Sequence, residues 1–298
     1  MHMPGHMLVE QVEVVTSIIA LAGVGAAVYS SLRDEKKPAR LDFVKTVVII
    51  FVLQMLNFPV QEGTSGHFLG GVLAASLLGT NFGILAMGIV VTVQTLVFGD
   101  GGITTLGANL FNMAIIGAGT YGVVTRYLKP GLITTGVAAW ISVVAASFAC
   151  GLELVLSVAG DYPAPLLAMV AVHSLTGVAE AFVTLGILKA LTWEDRSPAA
   201  SFVGMGRGYV LSLFLVIGGM LLAPFASPLP DGLEWVAQRY RLLHESMPYF
   251  AAPLHDYKAS FIGHEYLSSV IAALLGVIIL SSVSFAAMTG LSGKRNKS

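Results

Sequence analysis

Residues 68–98 read FLGGVLAASLLGTNFGILAMGIVVTVQTLVF, without one charged side chain. An apolar run of about 18 residues or more reads as a bilayer-crossing helix. This stretch suits either one long helix or two that turn near Gly79-Thr80-Asn81. The rest of the chain has the same character. Of 298 residues, 55% are hydrophobic and 11% charged, and the mean hydropathy is +0.81. A soluble domain carries about 25% charged residues, so this chain lacks the charge to cover a water-exposed surface. The composition specifies an all-α, polytopic integral membrane protein without a large soluble domain. The formal net charge of -1 implies no nucleic-acid partner. The single Cys150 excludes a disulfide or thiolate cluster within one chain.

Spans are expected at about 11–32, 43–60, 68–79, 82–98, 106–125, 131–158, 163–190, 208–224 and 267–290. Charge decides how 68–98 is divided, because cytoplasmic loops are enriched in Lys and Arg. Arg33 to Arg40 forms one basic loop, and Arg126 with Lys129 forms the next. An even number of spans must separate two loops on one side, which favours the hairpin. The expectation is then about nine transmembrane helices, N-terminus outside and C-terminus inside. This puts 13 of the 16 basic residues on or near the cytoplasmic side, leaving Arg239, Arg241 and Lys258 outside. Two modules are expected, 1–195 as a dense bundle and 196–298 as a two-helix module with a long external loop. The polar stretch Trp193 to Pro198 links them. No internal repeat is evident.

The first candidate for chemistry is the start of the chain, Met1-His2-Met3-Pro4-Gly5-His6. These residues lack the basic start and small-residue cleavage site of a secretory signal, and a bulky second residue disfavours removal of Met1. A His in second place offers a metal the α-amine, its own deprotonated amide and imidazole Nδ1, all in one plane. A fourth nitrogen would complete the square-planar geometry that suits Ni(II) or Cu(II). The alternative is that His2 merely follows an initiator. His67, in a glycine-flanked stretch on the same expected side, is the candidate fourth donor; otherwise it is an interfacial histidine bonded to a carbonyl. His6 reads as exposed, with a role as an extra entry-route ligand as the alternative.

Asn57, Gln94, Asn109, Asn112, His173 and Glu180 lie within apolar stretches, where polar groups usually face the bundle interior. Gln94, Asn109, Asn112 and Glu180 are candidates to orient the metal ligands. Glu153 reads as interfacial. The glycines of Asp100-Gly101-Gly102 permit close backbone packing. No GxxxxGK[ST] or HExxH pattern occurs, so ATP would be hydrolysed elsewhere and no zinc-protease chemistry is indicated. The chain reads as non-enzymatic.

Several stretches together resemble the CbiM/NikM family. They are Met1 to Pro4, Gly63 to Gly71, Phe98 to Gly102, Gly107 to Met113 and His173 to Ala181, covering about 1–190. Pro230-Asp231-Gly232-Leu233-Glu234 resembles the PDGLE (CbiN/NikN-type) domain, covering about 205–290. The resemblance implies a substrate-capture subunit of an energy-coupling factor transporter, in the cell membrane of a prokaryote. Its cargo would be Ni(II) or Co(II), nickel favoured, with no prosthetic group. Its implied partners are a CbiQ/NikQ-type coupling subunit, a CbiO/NikO-type ATPase and the lipid bilayer. The implied ligands are Met1, His2 and His67. Family starts usually read Met-His-Ile-Pro-Asp-Gly, whereas Gly5 and His6 follow Pro4 here. A stand-alone secondary transporter is the alternative, although neither an intramembrane acidic pair nor a two-fold repeat is evident.

Overall fold

The computed structural model describes residues 1–61, 63–158, 163–192, 207–242 and 250–292. The expected linker at 193–198, with Arg196 and the 195/196 boundary, lies outside the described residues, as do Lys294, Arg295 and Lys297. Most of the described chain is helical, with one short hairpin and the loops between helices. In order it runs α1 (Glu10–Arg33), α2 (Arg40–Gln54), β1 (Phe58–Gln61), β2 (Thr64–Gly66), α3 (Gly71–Leu78) and α4 (Thr80–Val93). There follow α5 (Leu106–Asn109), α6 (Gly117–Tyr127), α7 (Leu132–Ser157), α8 (Ala164–Thr192), α9 (Arg207–Leu222), α10 (Gly232–Arg239) and α11 (Glu265–Ser292). A π-helical turn at Gln94–Phe98 continues α4, and another at Leu110–Ile116 joins α5 to α6.

Six helices among the described residues are long and apolar enough to cross a membrane: Glu10–Arg33, Thr80–Phe98, Leu132–Ser157, Ala164–Leu191, Gly208–Phe225 and Glu265–Ser292. The chain is a multi-pass membrane protein. Three expected spans fall outside these six: 106–125 is helical but runs through α5, a π-helical turn and α6, and two others are shorter as helices. The stretch read as 43–60 leaves the helix at Gln54 and is extended from Phe58, where the following Pro59 disfavours the helical conformation of the residue before it. The stretch read as 68–79 becomes helical only at Gly71, because Gly70 is left-handed with φ 84°. Asn57, read as intramembrane, lies in the non-helical link after α2, where its carbonyl accepts the Ser227 N–H at 2.8 Å.

Within 68–98 the chain reverses at Gly79, whose φ of 86° favours glycine. Gly83 then lies so close to α3 that a Cβ there would sit 2.7 Å from the Ala75 backbone. Two helices folded back on each other make that approach; one continuous helix cannot. The core sits where α2, α3, α4 and α11 meet the first eight residues. Met1, Met3, Met7 and Leu8 are buried in the same apolar cluster as Phe51, Phe98 and Met113. The N-terminal segment is therefore part of the core rather than a tail upon it.

The C-terminal elements are built into that core as well. α11 lies along α2, and α10 packs on α8 and β2. Tyr257, in the loop before α11, stacks on Phe98 with ring centroids 4.7 Å apart.

Candidate metal site

The N-terminal segment is held by backbone-directed side chains. The Met3 N–H donates to Asn109 Oδ1 at 2.8 Å, and Asn109 Nδ2 donates back to the Met3 carbonyl at 3.1 Å. That carbonyl also accepts from Thr105 Oγ1 at 2.6 Å and from the Gly102 N–H at 2.9 Å. Gly102 has to be a glycine: a Cβ there would lie 2.1 Å from the Gly5 nitrogen and 2.3 Å from its Cα. Asn109 ends α5 immediately before a π-helical turn. Such turns re-aim the side chains around them and are frequent at functional sites.

So held, the chain start meets His67. The Met1 amine donates to His67 Nε2 at 2.7 Å, and the His2 and His67 rings stack with centroids 5.4 Å apart. His67 follows β2, and its Nδ1 lies 3.1 Å from the Phe68 carbonyl. An N–H there donates to that carbonyl and leaves the Nε2 lone pair facing the amine, the outer contact common to metal-binding histidines. The backbone leaving His67 is fixed by Glu180, whose two oxygens accept from Leu69 N–H and Gly70 N–H at 2.7 and 2.8 Å.

The His2 ring lies between two acceptors. Nε2 is 3.0 Å from Gln94 Oε1, and Nδ1 is 3.2 Å from Asp100 Oδ1. Burial pushes the imidazole down to about 4, against the pull of Asp100, so the ring is neutral near pH 7 with one N–H to donate. If Nε2–H donates to Gln94, the Nδ1 lone pair is free for an N-terminal chelate. Gln94 opens the first π-helical turn, which directs its amide onto His2.

Two carboxylates complete the surroundings. Asp231 Oδ2 accepts from the Met1 amine at 2.7 Å and is 3.6 Å from His67 Nε2. Burial alone would raise the Asp231 carboxyl, but the amine and His67 outweigh it and hold it well below the usual carboxylate range. Asp100 Oδ2 accepts from Tyr257 Oη at 2.5 Å. Burial and Asp100 push that phenol well above its usual value, so it remains a donor. The sequence marked Asp100 only for its neighbouring glycines, and Asp231 only as part of a motif. Neither contact had a local signal, since each partner is brought in from far along the chain.

The other candidates sort as follows. Gln94, Asn109 and Glu180 touch His2, Met3 and the His67 loop. Asn112 does not reach the N-terminal segment: its amide donates to Glu153 Oε2 at 2.7 Å. Glu153, expected at an interface, is instead buried on α7, where Asn112 faces it. His6, expected to be exposed, is half-buried, with a left-handed φ of 65° and its N–H 3.4 Å from Thr104 Oγ1. His173, which no sequence pattern linked to His67, lines one narrow cavity with Met1, His67 and Asp231. Its Nδ1 is 2.8 Å from the Met169 carbonyl. Among the described residues, no group of three or more His, Cys, Asp and Glu side chains is placed to hold a metal.

The family model of the cobalt uptake substrate-specific transmembrane region (CbiM) matches residues 2–200, and that of the PDGLE domain matches residues 208–292. The chain is 31% identical over 293 residues to the putative fused nickel transport protein NikMN of Archaeoglobus fulgidus, covering 96% of this chain and 97% of that one. It is 28% identical to the fused nickel transport protein NikMN of Rhodobacter capsulatus, covering 94% and 95%. A shorter match, 34% identical over 131 residues, is to the cobalt transport protein CbiM of Kyrpidia tusciae, covering 43% and 51%. A crystal structure of a transition metal transporter superposes with a TM-score of 0.56 at 25% identity, covering 66% of this chain and 95% of that one.

Proposed function

The chain belongs to the CbiM family, with a PDGLE domain behind it, and on that premise we propose that it captures Ni(II) or Co(II), nickel favoured, at Met1, His2 and His67 and passes the ion across the membrane. The reading takes Met1 as the first residue of the mature protein. The ligands are the Met1 amine, the His2 amide and Nδ1, and His67 Nε2. The observation that carries it is the 2.7 Å between the Met1 nitrogen and His67 Nε2. Neighbouring ligands at ~2.0 Å from an ion in a square plane lie ~2.8 Å apart, so the pair already has the spacing of two adjacent donors. The amine and the His2 amide each give up a proton on ligation. Gln94 then holds the His2 tautomer that leaves Nδ1 free.

Four nitrogens in one plane suit Ni(II) better than Co(II), which accepts other geometries readily. Two relatives that span nearly the whole chain are named as a putative fused nickel transport protein and a fused nickel transport protein. The bias of basic residues supports an external N-terminus, where the ion arrives. The chain has no nucleotide-binding motif, so transport is driven by a CbiQ/NikQ-type coupling subunit and CbiO/NikO-type ATPases.

Titration of the purified full-length protein with Ni(II), followed by calorimetry and absorption, tests the site. One ion per chain is expected, as a planar low-spin species. His67→Ala, or acetylation of the α-amine, should each lower affinity by more than the ~10–100-fold typical of losing an outer-shell partner. Binding of unchanged strength after either change sinks the ligand set. Reconstitution with the coupling subunit and ATPases should give ATP-dependent uptake that the chain alone lacks.

A further inference from the structure

The PDGLE segment reaches the proposed ligands directly. Its entry is tied to the strand that leads to His67: the Ser65 N–H donates to the Pro230 carbonyl at 2.8 Å, and Ser65 Oγ donates to the Leu229 carbonyl at 2.8 Å. Asp231 then starts α10 with a capping box. Its Oδ1 accepts from the Glu234 N–H at 2.8 Å, and Glu234 Oε2 accepts from the Asp231 N–H at 3.0 Å. One carboxylate oxygen is thus used by the helix, and its rotamer is set. The other, Oδ2, is the atom 2.7 Å from the Met1 amine. Both members of this pair are largely shielded from water, with side chains 3% and 14% exposed.

We propose that Asp231 is a positioning residue by which the C-terminal module latches the amino terminus beside His67 before any metal arrives. The inference rests on the ligand set proposed above and assigns the module its contact with that site. Asp231 does not replace a ligand. Its charge holds the amine within adjacent-donor distance of Nε2, so the incoming ion meets a chelate already folded and does not have to order the first three residues itself. Preorganisation of this kind raises affinity by lowering the ordering cost of binding. Charge favours the same arrangement after capture. A divalent ion with a deprotonated amide carries the same +1 as the ammonium that preceded it, so the Asp231 carboxylate faces an equal charge before and after.

The test separates the latch from the helix cap. Asp231→Ser keeps a good N-cap but removes the carboxylate from the amine. Glu234→Ala loosens the capping box and leaves that carboxylate in place. Two quantities are read on metal-free, full-length protein: the rate at which an amine-specific reagent labels the N-terminus, and the affinity for Ni(II). Asp231→Ser is expected to label at least about tenfold faster and to bind Ni(II) ~10–100-fold more weakly, the range for lost outer-shell partners. Glu234→Ala is expected to stay near the unsubstituted protein in both. The inference is overturned if Asp231→Ser labels at the original rate, if it labels faster with unchanged affinity, or if Glu234→Ala shifts both readings equally. Labelling without metal does not depend on which atoms ligate. Failure of the ligand set under acetylation or His67→Ala is therefore distinguishable from failure of the latch.

Discussion

Substituting Gly102 by Ala should cripple metal capture although Gly102 ligates nothing. The added Cβ would fall 2.1 Å from the Gly5 nitrogen, 2.3 Å from its Cα and 2.9 Å from the Pro4 carbonyl carbon. An ordinary contact of this kind is ~3.5 Å, so the N-terminal backbone would have to retreat by about 1.4 Å. No flexible side chain is there to give way, since the clash is with main chain. The segment that must move is also pinned two residues earlier, where the Met3 carbonyl takes donors from Gly102, Thr105 and Asn109. Overpacking of this sort costs about 1–3 kcal/mol. If the cost falls on the inserted state, affinity drops ~5–150-fold at about 1.4 kcal/mol per decade. Gly5→Ala supplies the control. From the other side of the same contact its Cβ would meet only Gly102 Cα and Thr104 Oγ1, both at 3.7 Å, and near-normal binding is expected. Calorimetric titration with Ni(II) reads both variants. Equal affinities in Gly102→Ala and Gly5→Ala would refute the claim that insertion of the first residues between these loops is needed to hold the metal.

Asn109→Ala removes both partners of Met3 on that side and leaves a buried N–H unpaired. A loss of about 1–3 kcal/mol is expected, visible as weaker Ni(II) binding or a lower melting temperature. Gln94→Leu strips the acceptor from His2 Nε2; affinity should fall ~10–100-fold with the protein still folded, and circular dichroism alongside titration separates the two effects. Gly83→Val drives a side chain into the α3 backbone at the Gly79 hairpin and should abolish folded protein in detergent, as size-exclusion chromatography would report. Gly276→Val would press on Phe51 and Phe98, whose rings lie 2.4–2.7 Å from the new Cβ position. It should lower the melting temperature by loosening α11 and affect metal binding less than Gly102→Ala does.

The hairpin at Gly79 was legible because charge bias on either side of an uncharged run restricts how many crossings fit between two basic loops. Met1, His2 and His67 read as a candidate chain-end chelate with the fourth donor expected on the same side, and the structure brings the three residues together. Asn112 and Glu153 face each other, a pairing the sequence does not name because hydropathy locates a residue along a helix and says little about which neighbour it faces. The π-helical turns at Gln94 and Leu110 leave no periodic trace in so uniformly apolar a sequence, yet they set where Gln94 and Asn109 point. Asp231 and Tyr257 were out of reach for a different reason. Each acts through contacts whose other halves, Met1 and His67 for Asp231 and Asp100 and Phe98 for Tyr257, lie far from it in sequence.

The burial of Met1 against Asp231 also orders events in time. Asp231 stands 230 positions beyond Met1, so this pair can close only after α10 has been made, whereas His67, Thr105 and Asn109 are available to the N-terminal segment much earlier. The contact between Met1 and the start of α10 is therefore among the last that the growing chain can make.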